Sequence, residues 1–364
     1  MKQVKDSASQ VVRYIGMDVH KDSTTAAVRD EEGRQLMEVT LRTEGSVLID
    51  FLQGVRGRLQ VTLEEGRYSA WLATLLSPHV ERLLVCNRRQ NALLKQGNKD
   101  DRIDARKLAE LLGLGALRAV YHGGENLRTL KELAASYTTL VSDGTRVMNR
   151  LKALYRGRGI RCGGMQVYSP KHRGPWLEQL KEEGARQRAK LLYRELDVLL
   201  ELRRPARRGL LAESRKHPTQ KILRTLPGLG PIGVALLIAG VQTPQRFPNK
   251  RHLWGYGGLG LLLRGSGQYR LRQGELVLSP KATMVRGLNP AHNAHLKEIF
   301  KGAALSASRR PGPLRESYER CLRQGMKEHL ARLTLARKIA TLVLTLWKRG
   351  ERFSAQRLRA EQAA

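Results

Sequence analysis

Cysteine is scarce in this sequence: Cys86, Cys162 and Cys321 stand far apart, and none belongs to a Cys-x-x-Cys pair. That excludes a disulfide framework and a thiolate zinc site, and it fits a reducing cytoplasm. Long apolar runs are also lacking. The longest, Val234 to Val241, falls far short of the ~20 residues that span a bilayer, so no membrane segment is expected. The opening Met1-Lys2-Gln3-Val4-Lys5 leads into polar positions and has no signal-peptide core. Acid is in short supply relative to base, with 33 Asp and Glu against 66 Lys and Arg, a formal net charge of +33. Such an excess repels itself and favours an extended polyanionic partner. Each phosphate it neutralises releases counterions, so binding weakens steeply with salt. Nucleic acid is the partner this balance points to.

What is present is a chain of 364 residues, 41% hydrophobic, long enough for two or three domains. Val11 to Met17, Thr24 to Val28, Arg34 to Thr40, Leu59 to Leu63 and Arg82 to Cys86 read as strands. Tyr68 to Leu76 and Asp101 to Leu112 carry helical spacing. The periods specify a mixed α/β domain over residues 1–122, and three strands followed by alternating helix and strand is the order of an RNase H-like (RuvC-like) domain. From Asn126 to Tyr155 leucines recur every three or four residues in a heptad-like seam, and Trp176 to Leu211 is again helical and very basic. Residues 123–216 are therefore expected to form a helical, coiled-coil region, pairing either within the chain or between subunits. Pro205 argues against one uninterrupted second helix. Residues 217–364 are expected to be mostly α: a Gly-rich turn, a small-residue helix to Gly240, a β segment near Glu275 to Leu278, and helices to about Lys348.

Four acids stand where chemistry is done. Asp18 ends the first strand and Glu64 the fourth; Asp101 and Asp104 lie one helical turn apart and can face one point. Carboxylates gathered in this way repel one another and favour a divalent cation. Two Mg²⁺ ions so held can activate an attacking oxygen and stabilise a leaving one at a phosphodiester. Taken singly, an Asp at a strand end is an ordinary turn residue, and Asp101 can serve as a helix cap. Glu65 competes with Glu64, since alternation sends the two to opposite faces, and Asp100 stands beside Asp101 as a similar neighbour.

Leu226-Pro-Gly-Leu-Gly-Pro-Ile-Gly233 has the form of a helix-hairpin-helix turn, in which Gly228 and Gly230 would expose backbone N–H groups to a phosphate; a tight turn that simply packs helices is the alternative. In Arg264-Gly265-Ser266-Gly267 the glycines let a phosphate approach and Arg264 can steady its charge, although such a segment read alone is equally a flexible loop. Arg203, Arg204, Arg207 and Arg208, with Lys2 to Lys5, Arg88 to Lys99 and Arg309 to Arg315, are further candidates to track phosphates.

Several of these segments resemble one known family. Tyr14-Ile-Gly-Met-Asp-Val-His-Lys21, Leu63-Glu-Glu-Gly66 and Gly97-Asn-Lys-Asp-Asp-Arg-Ile-Asp-Ala-Arg106 are similar to the acid-bearing segments of bridge-RNA-guided insertion-sequence transposases. These join a DEDD RuvC-like domain to a serine-bearing C-terminal domain. Leu226-Pro-Gly-Leu-Gly230, Phe247, Gly257-Gly-Leu259, Ser266-Gly267 and the stretch through Gly325, Ala336-Arg-Lys338 and Gly350 follow in the family's order. Asp100, where Thr is usual, and the doubled acid at Glu65 depart from it. The resemblance implies a transposase or recombinase in the bacterial cytoplasm, associated with the nucleoid. Ser266 would attack a DNA phosphodiester while Asp18, Glu64, Asp101 and Asp104 hold Mg²⁺. A structured bridge RNA would choose donor and target DNA, and the helical middle would assemble a dimer to tetramer. A junction nuclease that uses only the carboxylates is the alternative.

Overall fold

The computed structural model describes residues 11–87, 100–120, 127–264, 269–272, 275–278, 284–356 and 358–359. The chain divides into two compact units, Met1–His122 and Gly123–Ala364.

The first unit is a five-stranded sheet built from β1 (Val12–Val19), β2 (Ser23–Arg29), β3 (Gln35–Arg42), β4 (Arg58–Glu64) and β5 (Arg82–Cys86), in the spatial order β3-β2-β1-β4-β5. β1, β2 and β3 form an antiparallel meander, and β4 and β5 run parallel to β1. Alternation divides the side chains between two faces. Ile15, Met17, Val28, Val61 and Leu63 pack with Leu48 and Leu52 of α1 (Gly45–Gly54) and Leu72 and Leu76 of α2 (Ser69–Leu76). Tyr14, Leu84 and Cys86 lie on the other face with Leu108, Leu111 and Leu112 of α3 (Asp101–Gly113). Sequence reading assigned no helix at α1. The topology requires a crossover there, because β3 and β4 point the same way and cannot be joined by a hairpin. Leu48 and Leu52, one turn apart and fully buried, anchor it, each contributing about 2 kcal/mol of apolar burial.

The second unit is mostly helical, with short strands inserted. α4 (Arg128–Arg156) and α6 (Glu183–Arg215) form an antiparallel hairpin. At its tip Leu151, Leu154 and Tyr155 pack against Leu192, Tyr193 and Leu196, and the two buried tyrosine hydroxyls meet at 3.0 Å. The strap between them, including α5 (Arg173–Glu178), is fastened by Arg173, which donates to both carboxylate oxygens of Asp197 (2.6 and 2.7 Å) and stacks on the Tyr193 ring. α6 runs through Pro205, contrary to the expected break. The proline is exposed, so the Glu201 carbonyl it leaves unbonded faces water, and packing on both sides holds the helix: Leu192 and Leu196 in the tip cluster, Leu210 in the C-terminal core.

The base of the hairpin, Leu130, Ala134 and Leu210, is continuous with that C-terminal core, so position 216 falls inside the unit. α7 (Pro218–Leu223), α8 (Pro231–Val241), α9 (Lys250–Tyr256), α10 (Ala294–Arg309), α11 (Pro313–Arg323) and α12 (Glu328–Arg349) surround it. Between α9 and α10 lie two antiparallel ribbons: β6 (Leu261–Arg264) with β9 (Met284–Leu288), and β7 (Tyr269–Arg272) with β8 (Glu275–Leu278). Of these only the β8 segment was expected. β6 and β9 find each other across nineteen intervening residues, a pairing no local pattern announces. In the α7–α8 turn Gly228 has φ +91°, and a Cβ there would come 2.5 Å from the Ala303 carbonyl oxygen of α10. Gly228→Ala should therefore lower stability by about 1–3 kcal/mol through combined backbone and packing strain, measured as a drop in Tm with the far-UV circular dichroism retained.

Candidate carboxylate site

β1 and β4 are parallel neighbours, with Met17 opposite Leu63, so Asp18 and Glu64 occupy the next step at the carboxyl ends of both strands. Tyr14, Gly16 and Asp18 alternate onto the face covered by α3, and Glu64, which pairs with Cys86, falls on that same face. What brings the helix down is Gly16. A Cβ there would overlap the Ala105 carbonyl oxygen and the Ala109 amide nitrogen of α3, so the helix backbone rests directly on the strand. The first turn of α3, with Asp101 and Asp104, is thereby delivered to the strand end. Three ion pairs hold α3 in rotation. Glu38 of β3 accepts from Arg106 (Nη2 at 3.1 Å) and faces Arg102 at 3.6 Å, and Arg29 of β2 lies 3.3 Å from Glu110.

Asp18, His20 and Asp101 offer ligand atoms that all lie within 4.8 Å of one another. The His20 Nε2 stands 3.2 Å from Asp18 Oδ2 and 3.2 Å from Asp101 Oδ1, bridging the two carboxylates. Burial raises the Asp18 carboxyl above its ordinary value, and the charges of Asp101 and Asp104 push it further up against the opposing effect of His20. Burial works against the charged imidazole of His20, but the carboxylates of Asp18 and Asp101 outweigh it and hold His20 above its usual value. Asp18, Asp101 and Asp104 thus form one charge cluster with His20 inside it. His20 escaped sequence reading; its signal was its place two residues after Asp18, just beyond the end of β1.

At the neighbouring strand end, burial and then the charge of Glu64 push the Cys86 thiol up to about 11. Glu65 lies beyond the last residue of β4; its amide donates to the Cys86 carbonyl and its carboxylate accepts from Asn87 at 3.4 Å. Asp100 caps α3 through its backbone, its carbonyl accepting the Asp104 amide at 2.9 Å, while its own side chain makes no cap bond.

In the second unit, Arg203, Arg204, Arg207 and Arg208 line a cavity of about 510 Å³ on α6. Gly230 is the N-cap of α8 and Gly228 is turned toward α10. Arg264 ends β6; Ser266 and Gly267 lie outside the described residues, as do Lys2 to Lys5 and all of Arg88 to Lys99.

The comparisons with known proteins bear on both units. A DEDD transposase model of the IS110 type matches residues 15–157, which include every acid of the cluster. A second, described as "Transposase IS116/IS110/IS902 family", matches residues 220–278. The chain belongs to this transposase family. Its relatives include the "Insertion element IS116 uncharacterized 44.8 kDa protein" of Streptomyces clavuligerus, 23% identical over 380 aligned residues, covering 89% of this chain and 92% of that one. The transposase is a DNA-processing enzyme, and DNA is the polyanion its charge anticipates. No helix among its described residues is long and apolar enough to cross a membrane. In the transposase the second match spans the α7–α8 turn, the take-off of β6 and the segment that holds Ser266.

Proposed function

We propose that the transposase exchanges DNA strands with two kinds of group, a carboxylate set that holds Mg²⁺ and a serine that carries the strand. The observation that supports this most is the meeting of Asp18, Asp101 and Asp104, remote in sequence, at one strand end inside the DEDD match. The sheet order β3-β2-β1-β4-β5, with acids at the ends of β1 and β4 and in the first turn of a covering helix, supports reading this unit as an RNase H-like domain.

The donor set fits a divalent cation. All the members are hard oxygen ligands apart from one imidazole, and burial, with the charges of Asp101 and Asp104 added to it, already raises the Asp18 carboxyl, a cost a cation offsets. Asp18, Glu64, Asp101 and Asp104 would hold two Mg²⁺ ions. Held by these acids, Mg²⁺ would supply Lewis-acid stabilisation of negative charge at a scissile phosphate. The protein's part is positioning: β1 and β4 fix two acids, α3 fixes two more, and His20 Nε2 orients Asp18 and Asp101 by bonding both. Ser266 Oγ would attack the phosphorus and form a phosphoserine ester as the strand's own P–O bond breaks and the departing oxygen takes up a proton. A hydroxyl of the incoming strand then reverses the step and frees the serine. Gly228 and Gly230 in the α7–α8 turn, which would act as a helix-hairpin-helix, Arg264 and Gly267 beside the serine, and the α6 arginines would hold backbone phosphates. A bridge RNA would select donor and target DNA, and assembly to a homodimer or tetramer would join one subunit's serine to another's metals, in the bacterial cytoplasm at the nucleoid.

The deciding experiment is strand exchange between donor and target DNA by wild type, Asp18→Ala and Ser266→Ala, with denaturing gels for a protease-sensitive protein–DNA adduct. Both variants should be inactive, and the adduct should vanish with Ser266. Hydrolytic cutting without an adduct, unaffected by Ser266→Ala, would establish a carboxylate-only nuclease instead. Sequencing the RNA that co-purifies should return one defined species. Mg²⁺ should also raise Tm, the stabilisation growing with the logarithm of its concentration above Kd and reaching about 2.7 kcal/mol at a hundredfold excess. Asp101→Asn/Asp104→Asn should remove that gain; an equal Mg²⁺ effect in the double variant would place the metal elsewhere.

A further inference from the structure

The second unit has a groove that the strand-exchange reading does not use. It lies between α4, α8 and α10, with a volume of about 320 Å³. Its floor is Ala239 and Gly240, side chains too small to fill it, and its walls present Lys131 and Thr139 from α4 and Asn293 and His295 from the start of α10. The small residues are there for packing as well: a Cβ at Gly240 would come 3.2 Å from Leu296 of α10, so α8 and α10 cross closely beneath the groove.

The amine of Lys131 feels a second positive charge at this place, that of Arg246. Lys131 is half-buried in the wall. Arg246 is tied to the floor's end, donating to the Gly240 and Val241 carbonyls at 3.3 and 3.1 Å. Burial first, and then the charge of Arg246, hold the Lys131 amine below the ordinary lysine range, and no carboxylate among the described residues offsets them. A lysine that merely lays its stem over apolar surface reaches its head into water and avoids that cost. Lys131 bears that cost as part of the groove's lining. α10 adds to the same field. Asn293 caps it by accepting from the Leu296 amide at 3.1 Å, which leaves the amides of Ala294 and His295, in a sixteen-residue helix, without intrahelical acceptors. Charge, donors and an open volume all call for an anion.

We infer that the α4–α8–α10 groove is a phosphodiester subsite for a nucleic-acid strand, in which Lys131 supplies the charge and the first turn of α10, with Thr139 and His295, supplies hydrogen bonds. The inference rests on the transposase acting on nucleic acid but not on the serine or the metal, so binding tests it independently of strand exchange.

The measurement is equilibrium affinity of the full chain for a duplex DNA and for a single-stranded RNA of equal length, across a series of salt concentrations. Lys131→Met keeps the stem and removes the charge. Ala135→Glu, at an exposed position one turn along α4, sets an acid beside Lys131 and occupies the groove with the wrong sign. Both variants should bind about 5- to 10-fold more weakly near 0.1 M salt, with the salt slope reduced by about 0.9 for the duplex or about 0.7 for the single strand. A loss confined to one probe names DNA or RNA as the occupant; a loss with both names a backbone site shared by the two. Lys131→Arg should bind like wild type. Should Lys131→Met and Ala135→Glu melt no lower than wild type and bind both probes with unchanged affinity and slope, the groove is only packing and the inference fails. If Lys131→Met fails to fold, Ala135→Glu alone decides between these outcomes.

Discussion

Gly16→Ala should reduce strand exchange by about 100-fold or more while leaving DNA affinity within a few-fold of wild type, although the substitution touches no functional group. The added methyl would overlap backbone atoms of α3, the Ala105 carbonyl oxygen and the Ala109 amide nitrogen, and would lie 2.8 Å from the Leu108 Cβ. Backbone cannot rotate aside as the end of a long side chain can, so the helix must lift off the strand. Asp101 and Asp104 ride on its first turn and would move away from Asp18. A displacement of about 1 Å at a reacting constellation costs on the order of 100-fold in rate. The stability loss should be smaller, about 1–3 kcal/mol, the usual range for overpacking. Gly113→Ala serves as the control on the same helix: its Cβ would meet only the Tyr14 ring, at 3.3 Å, which can tilt. Exchange assays together with thermal melts separate the two effects. A Gly16→Ala protein that exchanges at the wild-type rate would mean that α3 is not what positions the acids.

That dependence on Gly16 explains which parts of the site could be read in advance. The three-residue step between Asp101 and Asp104 is local and needs only helical geometry, and the strand ends at Asp18 and Glu64 follow from runs of β-branched and apolar residues that stop there. The role of Gly16 is set by a partner ninety residues on, and a glycine inside a strand carries no mark of what approaches it. His20 was hidden for a related reason: one of the two carboxylates it bridges, Asp101, comes from a helix about eighty residues on. α1 went unassigned because its short, mostly apolar run, Val47 to Leu52, suits a strand as well as a helix, whereas the crossover that demands a helix appears only once the strand directions are known. Pro205 misled in the opposite direction, since a local rule about helix breaking gave way to packing on both sides of it. The serine segment is legible only by resemblance, because Gly-Ser-Gly has no spacing of its own to argue from.

The doubled acid at Glu64 and Glu65 is where sequence left two choices, and the two substitutions should separate sharply. Glu64→Gln is expected to cost strand exchange more than the 10- to 100-fold typical of residues that only support metal ligands, while Glu65→Gln should stay within a few-fold of wild type. The argument is one of register. Met17 stands opposite Leu63, both buried toward α1 and α2, so the next pair, Asp18 and Glu64, turns to the other face together. Glu64 is opposite Cys86, which lies under α3, and its charge is felt by that thiol. Glu65 has left the strand and its carboxylate is taken by Asn87. Glutamine keeps the shape of either side chain and removes only the charge, so folding should survive in both and the comparison reads electrostatics alone. The reverse order of effects would mean that β4 closes one residue later around bound metal and nucleic acid than it does in the free chain, and that the second acid belongs to the loop instead of the strand.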